Sequence, residues 1–455
     1  MTDNNNGRRP PIAVPLGASP TRRSLVKSAG ALGALGAFGG LMGTSALISP
    51  AFAADYDPKK YAGTKITYLM IGGEGDDRAL EDLLPEFEAE TGMTLEIQAP
   101  AIGAQIQKTV QNVQAPTSAF QLVNYIGFLT TQQVGGGYYE QLNQFIDNPE
   151  ETPADWDFAD FIPAAVKNSG IFDMATGTVG QGNDVYGIPS LHSGSVIYFY
   201  RKDLFDAAGL KPATTWEEFH EAAKVLTKDD VAGASFIGAN DISLALVEWY
   251  TRFITNGGVL MTGSPREKNF KPQVDSAEGI KALQLMMDLL PYAPKNVTSY
   301  GFAENVDGFA SGKIAQLIFW STIAGGVVNP EKSLVAANVG TAPVPAAPGQ
   351  RARAIQGGWA TGIPKNVDPA KKAAAWRALT WISNKRVNKY VIDKYQIDAN
   401  RISAFKDPEL AARFPYLKDS LNAIETAETI PTARIDQFFE LKRARTRDPV
   451  FTTEA

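Results

Sequence analysis

Residues 184–205 read DVYGIPSLHSGSVIYFYRKDLF. A Gly-Ile-Pro turn ends one apolar run, a small polar middle (SLHSGS) follows, and a β-branched, aromatic run begins at Val196. The flanks carry strand formers, and Pro189 fixes the backbone between them. Small residues in the middle leave room for backbone rotation and for a guest near the axis. Hinges have this character, because a few residues absorb the dihedral change. An ordinary surface loop of a single domain has the same composition, so the surrounding chain must decide.

Outward from this stretch, strands and helices alternate. Residues 65–71 (KITYLMI) form a strand bounded by glycines, and residues 77–91 place Leu80, Leu83, Leu84 and Phe87 at helical spacing. Gly92 fits that helix's C-terminal cap, and 93–99 is the next strand. Strand–helix–strand with short joints predicts a mostly parallel sheet. A helix at 104–115, a strand at 120–126, a buried strand at 313–320 and helices at 371–384 and 408–428 continue the pattern. Thr215 and Glu218 form a capping box for a helix over 215–226. Ile280, Leu283, Met287 and Leu290 give the helix over 277–290 an apolar face, and Gly357–Gly358 breaks a strand-like run at 353–364. About 400 residues of this alternation exceed one sheet, so the reading is two α/β lobes.

Composition narrows the function. The 455 residues carry a net charge of −6, spread along the chain, which is not the footprint of a nucleic-acid binder. The one basic run, Lys442–Arg447, reads as a solvated face or tail. There is no cysteine, and His192 and His220 are the only histidines. Disulfides, thiolate metal sites and cysteine nucleophiles are therefore excluded, and a zinc site would need carboxylates almost alone. No G-x-S-x-G elbow is present. GGEGDD lacks the third glycine of a dinucleotide loop, and GFASGK has three residues between its glycines where a Walker loop has four. No metal or cofactor is expected.

The N-terminus is an address. Arg22 and Arg23 precede an uncharged stretch over 29–48, and an A-x-A site ends at Ala53. The paired arginines resemble a twin-arginine export signal. The expectation is cleavage after Ala53 and a protein outside the cytoplasmic membrane. A retained membrane anchor is the competing reading, since about 20 residues span a bilayer.

In open parallel sheets, ligands sit beyond the carboxyl ends of strands. Those ends carry Gly72, Gly73, Glu74, Gly75, Asp76 and Asp77, then Pro100 and Gln105, Asn124 and Tyr125, Trp320, Ser321 and Thr322, and Gly357, Gly358 and Trp359. Rings pack on sugar C–H faces while amides and carboxylates bond hydroxyls. Each residue alone also reads as core or as a helix cap.

The mature chain resembles the extracellular solute-binding proteins of ABC importers, in the group with maltose- and other sugar-binding proteins. The resemblance rests on KITYLM…LEDLLPEFEAETGMTLEI, on YGIP…YRKDLF…GL…PATTWEEF, on GFASGKIAQLIFWS and on IQGGWATGIPKN. Gln121 stands where the family commonly has aspartate. The resemblance implies an α/β, two-lobed periplasmic-binding-protein fold of type II, with the ligand cleft between lobes joined by hinge strands. It divides the chain into an export signal (1–53), an N-terminal lobe (54–191 plus about 338–386) and a C-terminal lobe (192–337 plus about 387–455). It implies a monomeric, non-catalytic carbohydrate-binding component that docks on ABC permease subunits in the periplasm. Carried over, the ligand contacts are Glu74, Asp76, Tyr125, His192, Asn240, Asp241, Trp320, Ser321, Gly358, Trp359 and Arg401. The alternatives are a secreted glycoside hydrolase or lyase, which needs paired carboxylates across a cleft, and a binder of a polyamine or a phosphorylated polyol.

Overall fold

β1 (Lys65–Leu69) leads through a glycine loop into α1 (Asp76–Thr91), which ends at Gly92 in the left-handed region, φ 66°. This is a computed structural model, and it describes residues 56–189, 191–239, 244–262, 269 and 271–427. The export segment, Asn240, Asp241 and the basic run at 442–447 lie outside the described residues. β2 (Thr94–Gln98), α2 (Ile102–Gln114) and β3 (Leu122–Ile126) complete the first units. β2 and β3 flank β1, both parallel to it. Leu80, Leu83 and Phe87 are buried, as the period requires.

The stretch at 184–205 does pass between two sheets. β4 (Ile188–Pro189) is an edge strand of the first, where proline's missing N–H costs no ladder bond. β5 (Val196–Arg201) is the central strand of the second. Next come α3 (Trp216–Leu226), with the capping box formed, α4 (Leu244–Thr255), α5 (Ala277–Met287) and α6 (Phe302–Ala310). β6 (Gln316–Trp320) and β7 (Val339–Ala342) then pair antiparallel on either side of β5. β8 (Trp359–Gly362) returns to the first sheet, antiparallel to β3 and β4. α7 (Pro369–Ile382), α8 (Lys385–Tyr395) and, near the end, α9 (Tyr416–Thr426) follow.

The orders are thus β2-β1-β3-β8-β4 and β6-β5-β7. Each sheet has its own core. Ile66, Phe87 and Trp376 belong to the first, and Phe199, Trp216 and Phe319 to the second. The fold is two-lobed α/β. The second sheet is antiparallel among its named strands, unlike the mostly parallel expectation.

Details depart from the sequence reading in three places. Val339–Ala342 hydrogen-bonds in the second sheet, and Val387 and Val391 pack in the first sheet's core, whereas the expected boundaries put 338–386 with the first lobe and 387–455 with the second. The stretch 408–428, expected to be mainly helical, is so, but as two helices, Pro408–Arg413 and Tyr416–Thr426, parted where Pro415 cannot continue a helix. The third is α5. Its Ile280, Leu283 and Met287 are exposed, and Gly279, Ala282, Leu285 and Met286 face inward. The small residues let α5 approach closely: Trp249 Nε1 donates to the Gly279 carbonyl at 3.0 Å, and a Cβ on Gly279 would lie 2.0 Å from the Val274 carbonyl oxygen.

Candidate functional site

The loop after β1 is shaped by glycine and acid. A Cβ on Gly72 would fall 2.0 Å from the Ala99 carbonyl oxygen, so only glycine lets the loop cross the end of β2 this closely. Gly75 has φ 100°. The Asp77 carboxylate accepts from the Gly73 and Gly75 amides at 3.1 and 3.2 Å, which occupies two donors of the loop before α1. Asp76 points inward and is fully buried, while Glu74 keeps 27% of its side chain exposed.

Between these two carboxylates lies His192, from the SLHSGS segment, 1% exposed. Its Nε2 is 3.0 Å from Glu74 Oε2 and its Nδ1 3.0 Å from Asp76 Oδ2. Burial works against a charged ring here, but the charges of Asp76 and Glu74, with hydrogen bonds to both, push the His192 pKa well above the usual histidine range. Burial likewise raises the Asp76 carboxyl, with His192 opposing it. Two ring nitrogens each facing a carboxylate oxygen require one proton in each gap, so the ring is read as imidazolium.

Three chain crossings meet at this point and are bonded to one another. The Ser195 amide donates to Ser321 Oγ at 3.1 Å, and Ser321 Oγ donates to Asp398 Oδ2 at 2.5 Å. Ser193 Oγ donates to Asn400 Oδ1. The Gly357 amide donates to the Gly194 carbonyl at 2.7 Å. Burial raises the Asp398 carboxyl, against donors that include Ser321 and Ser420.

Above the crossings is a cavity of about 460 Å³. The first sheet contributes the loop 71–74, the end of β3 with Phe128, and Trp359. The second contributes Trp320, Thr322, Phe302 and the α4 residues Leu244 and Val247. The crossings supply His192, Gly194 and the segment 355–357. Phe302 and Trp320 face each other with ring centroids 6.0 Å apart. Asn168 Nδ2 donates to Gln356 Oε1 at 3.0 Å. Glu74 is the only carboxylate in this lining, and the lining holds no lysine or arginine, among the described residues.

Of the expected contacts, Glu74, His192, Trp320 and Trp359 line the cavity. The others do not. Asp76 acts behind His192. Tyr125 belongs to the core: its hydroxyl donates to the Ser169 carbonyl at 3.0 Å, its ring lies 4.9 Å from that of Tyr139, and burial raises its pKa. Ser321 bonds the crossings. Gly358 is a close-approach glycine, whose Cβ would meet the Ser193 carbonyl oxygen at 2.4 Å. Arg401 is fully buried, donates to the Ser383 and Asp157 carbonyls, and lies 3.8 Å over the Phe161 ring. Asn240 and Asp241 lie outside the described residues. Thr322, named at the end of β6, lines the cavity, whereas Phe128, Phe302 and Gln356 were not singled out. Phe128 falls two residues past the end of β3, so reading further beyond that strand finds it.

Two lobes, each with its own sheet, and a cavity at their bonded crossings define a solute-binding architecture. Residues 72–389 match the family described as bacterial extracellular solute-binding protein, and the chain belongs to that family. It is 26% identical, over 81% of this chain and 80% of the relative, to a probable amino-acid ABC transporter periplasmic-binding protein of Sinorhizobium fredii. It is 27% identical to a mannitol-binding protein of Pseudomonas aeruginosa, over 61% of each chain. A solved ABC transporter solute-binding protein of Agrobacterium radiobacter, in complex with ribitol, has a TM-score of 0.71 and 25% identity, and the match covers 81% of this chain and 88% of the other. Among the described residues no helix is long and apolar enough to cross a membrane.

Proposed function

We propose that this chain captures a carbohydrate, a polyol or a mono- or oligosaccharide, in the interlobe cavity and delivers it to the permease of an ABC importer. The single observation that carries this is the cavity itself. Its volume falls in the range of about 300–1,000 Å³ typical of small-molecule sites, and it combines the rings of Phe128, Phe302, Trp320 and Trp359 with few polar groups. Those polar groups are Glu74, Thr322 and Gln356, whose amide nitrogen is its free end once Asn168 holds the oxygen. Rings for C–H faces and a few oriented donors and acceptors suit a polyhydroxy guest. The mannitol and ribitol binding of two similar proteins supports the same class.

In this reading the chain is exported through its twin-arginine-type signal, works as a periplasmic monomer and is not an enzyme. The lobes pivot at the crossings around 191–195, 343–358 and 396–401. Strand pairing and core packing support an N-terminal lobe of 56–190 with 359–396 and a C-terminal lobe of 196–342.

The glycosidase alternative needs two carboxylates on opposite sides of a sugar. Glu74 and Asp76 instead grip one imidazole, and Asp76 is shut away. An amino acid, the ligand class in the name of the S. fredii relative, carries a carboxylate for which the described lining offers no lysine or arginine, and both ring nitrogens of His192 already face carboxylates. A thermal-shift screen of pentitols, hexitols, mono- and disaccharides checks the proposal. A rise in melting temperature with at least one of them is expected. Silence across the screen, or turnover of any glycoside, contradicts it.

A further inference from the structure

The proton count of the buried triad can be taken from geometry. Each ring nitrogen of His192 lies 3.0 Å from a carboxylate oxygen, so each gap holds one proton. Two protons shared by two carboxylates and one imidazole leave a net charge of −1, on whichever side of each gap the proton sits. Asp76 is fully buried, so Glu74 is where this charge meets the cavity. Asp398, just behind, adds a further carboxyl rather than a compensating cation.

Nothing in the described lining balances it. The Gly73 and Gly75 amides in the loop before α1, which an anionic guest would use, are occupied by Asp77. Among the described residues, an adjoining recess of about 200 Å³ that shares Glu74 is lined by the exposed Arg78 and Lys332, and neither is ion-paired with Glu74. The remaining walls carry four aromatic rings, whose faces attract cations. An uncompensated buried charge is costly, and a guest cation removes that cost.

We propose that the carbohydrate captured here bears a protonated amine, held by the free oxygen of Glu74 among the rings of Phe128, Phe302, Trp320 and Trp359. This rests on the carbohydrate reading and sharpens it to amino-polyols and amino-sugars. The same charge excludes acidic relatives such as aldonates, uronates and phosphorylated polyols.

Calorimetry on the full mature chain tests it with matched five- and six-carbon series: the alditol, its 1-amino-1-deoxy form and the corresponding aldonate, at a pH where the amine is protonated. The amino form is expected to bind at least about tenfold more tightly than the alditol, the scale of a hydrogen bond to a charged partner, and the aldonate not at all. In Glu74→Gln the amine preference disappears. Should that variant fail to fold, raising the pH until the amine is neutral must abolish the preference in the wild type. Equal or tighter binding of the alditol, or binding of the aldonate, overturns the inference and leaves the carbohydrate reading standing. Silence across all three forms also overturns the inference, and the carbohydrate reading then stands or falls with the wider thermal-shift screen.

Discussion

His192 carries more of the account than any other side chain. It is the one histidine in the SLHSGS segment, and the sequence marks its position without showing its partners. Glu74 and Asp76 are far away in the chain, and only the fold reveals that one faces the cavity while the other stands behind the ring. Replacing His192 with asparagine leaves two carboxylates without their cation, and breaking a buried pair costs about 3–5 kcal/mol. Chemical denaturation should show a loss of that size. The folded-state pKa of His192 is raised, so its contribution is fully present below the unfolded histidine value of about 6.5 and is lost as pH rises toward the higher folded value. Melting temperature should therefore fall as pH climbs above about 6.5 in the wild type, and His192→Asn should lack that component. A wild-type stability that is flat or rising over this interval contradicts the triad.

The two tryptophans separate at the same scale. Trp359 is 2% exposed, sits on β8 and packs on Ile71 and Ile126 while also lining the cavity. Trp359→Ala should cost about 3–5 kcal/mol of stability together with affinity, so it cannot isolate the binding role. Trp320 tests it better, since it ends β6 and faces Phe302 across the cavity wall.

At the scale of elements, the β1–α1–β2 unit, the capped α3 and the passage from β4 to β5 were legible because local chemistry and the tertiary outcome agree. The Gly357–Gly358 break was legible too, although its reason was hidden: both glycines allow close approach, to Trp320 and to the Ser193 carbonyl. α5 was misread because it has two apolar stripes, and period alone cannot choose between them. The neighbours decide, since Gly279 and Ala282 permit a contact that larger residues forbid. Ile280→Gln and Leu283→Gln should each change stability by less than about 0.5 kcal/mol, whereas Leu285→Ala should cost about 2–5 kcal/mol. Urea melts distinguish the two faces, and a large loss at Ile280 contradicts this orientation. Tyr125 was placed at the site by its strand-end position and Arg401 by the family resemblance alone. Burial turns one into core and the other into a clamp on the Ser383 and Asp157 carbonyls.

For the whole molecule, two lobes followed from the length and the alternation of elements, while the return of β8 to the first sheet depends on pairing between distant segments that no local pattern encodes. The central claim is that a carbohydrate is held where the three crossings meet, against the Trp320 face of the second lobe. The most direct test is a calorimetric titration of the tightest ligand from the screen into wild type and Trp320→Ala side by side. Saturable one-to-one binding is predicted for the wild type, with a loss of about 1–3 kcal/mol in the variant, the scale of a buried aromatic anchor. Unchanged affinity in a folded Trp320→Ala protein would put the ligand elsewhere and contradict the account.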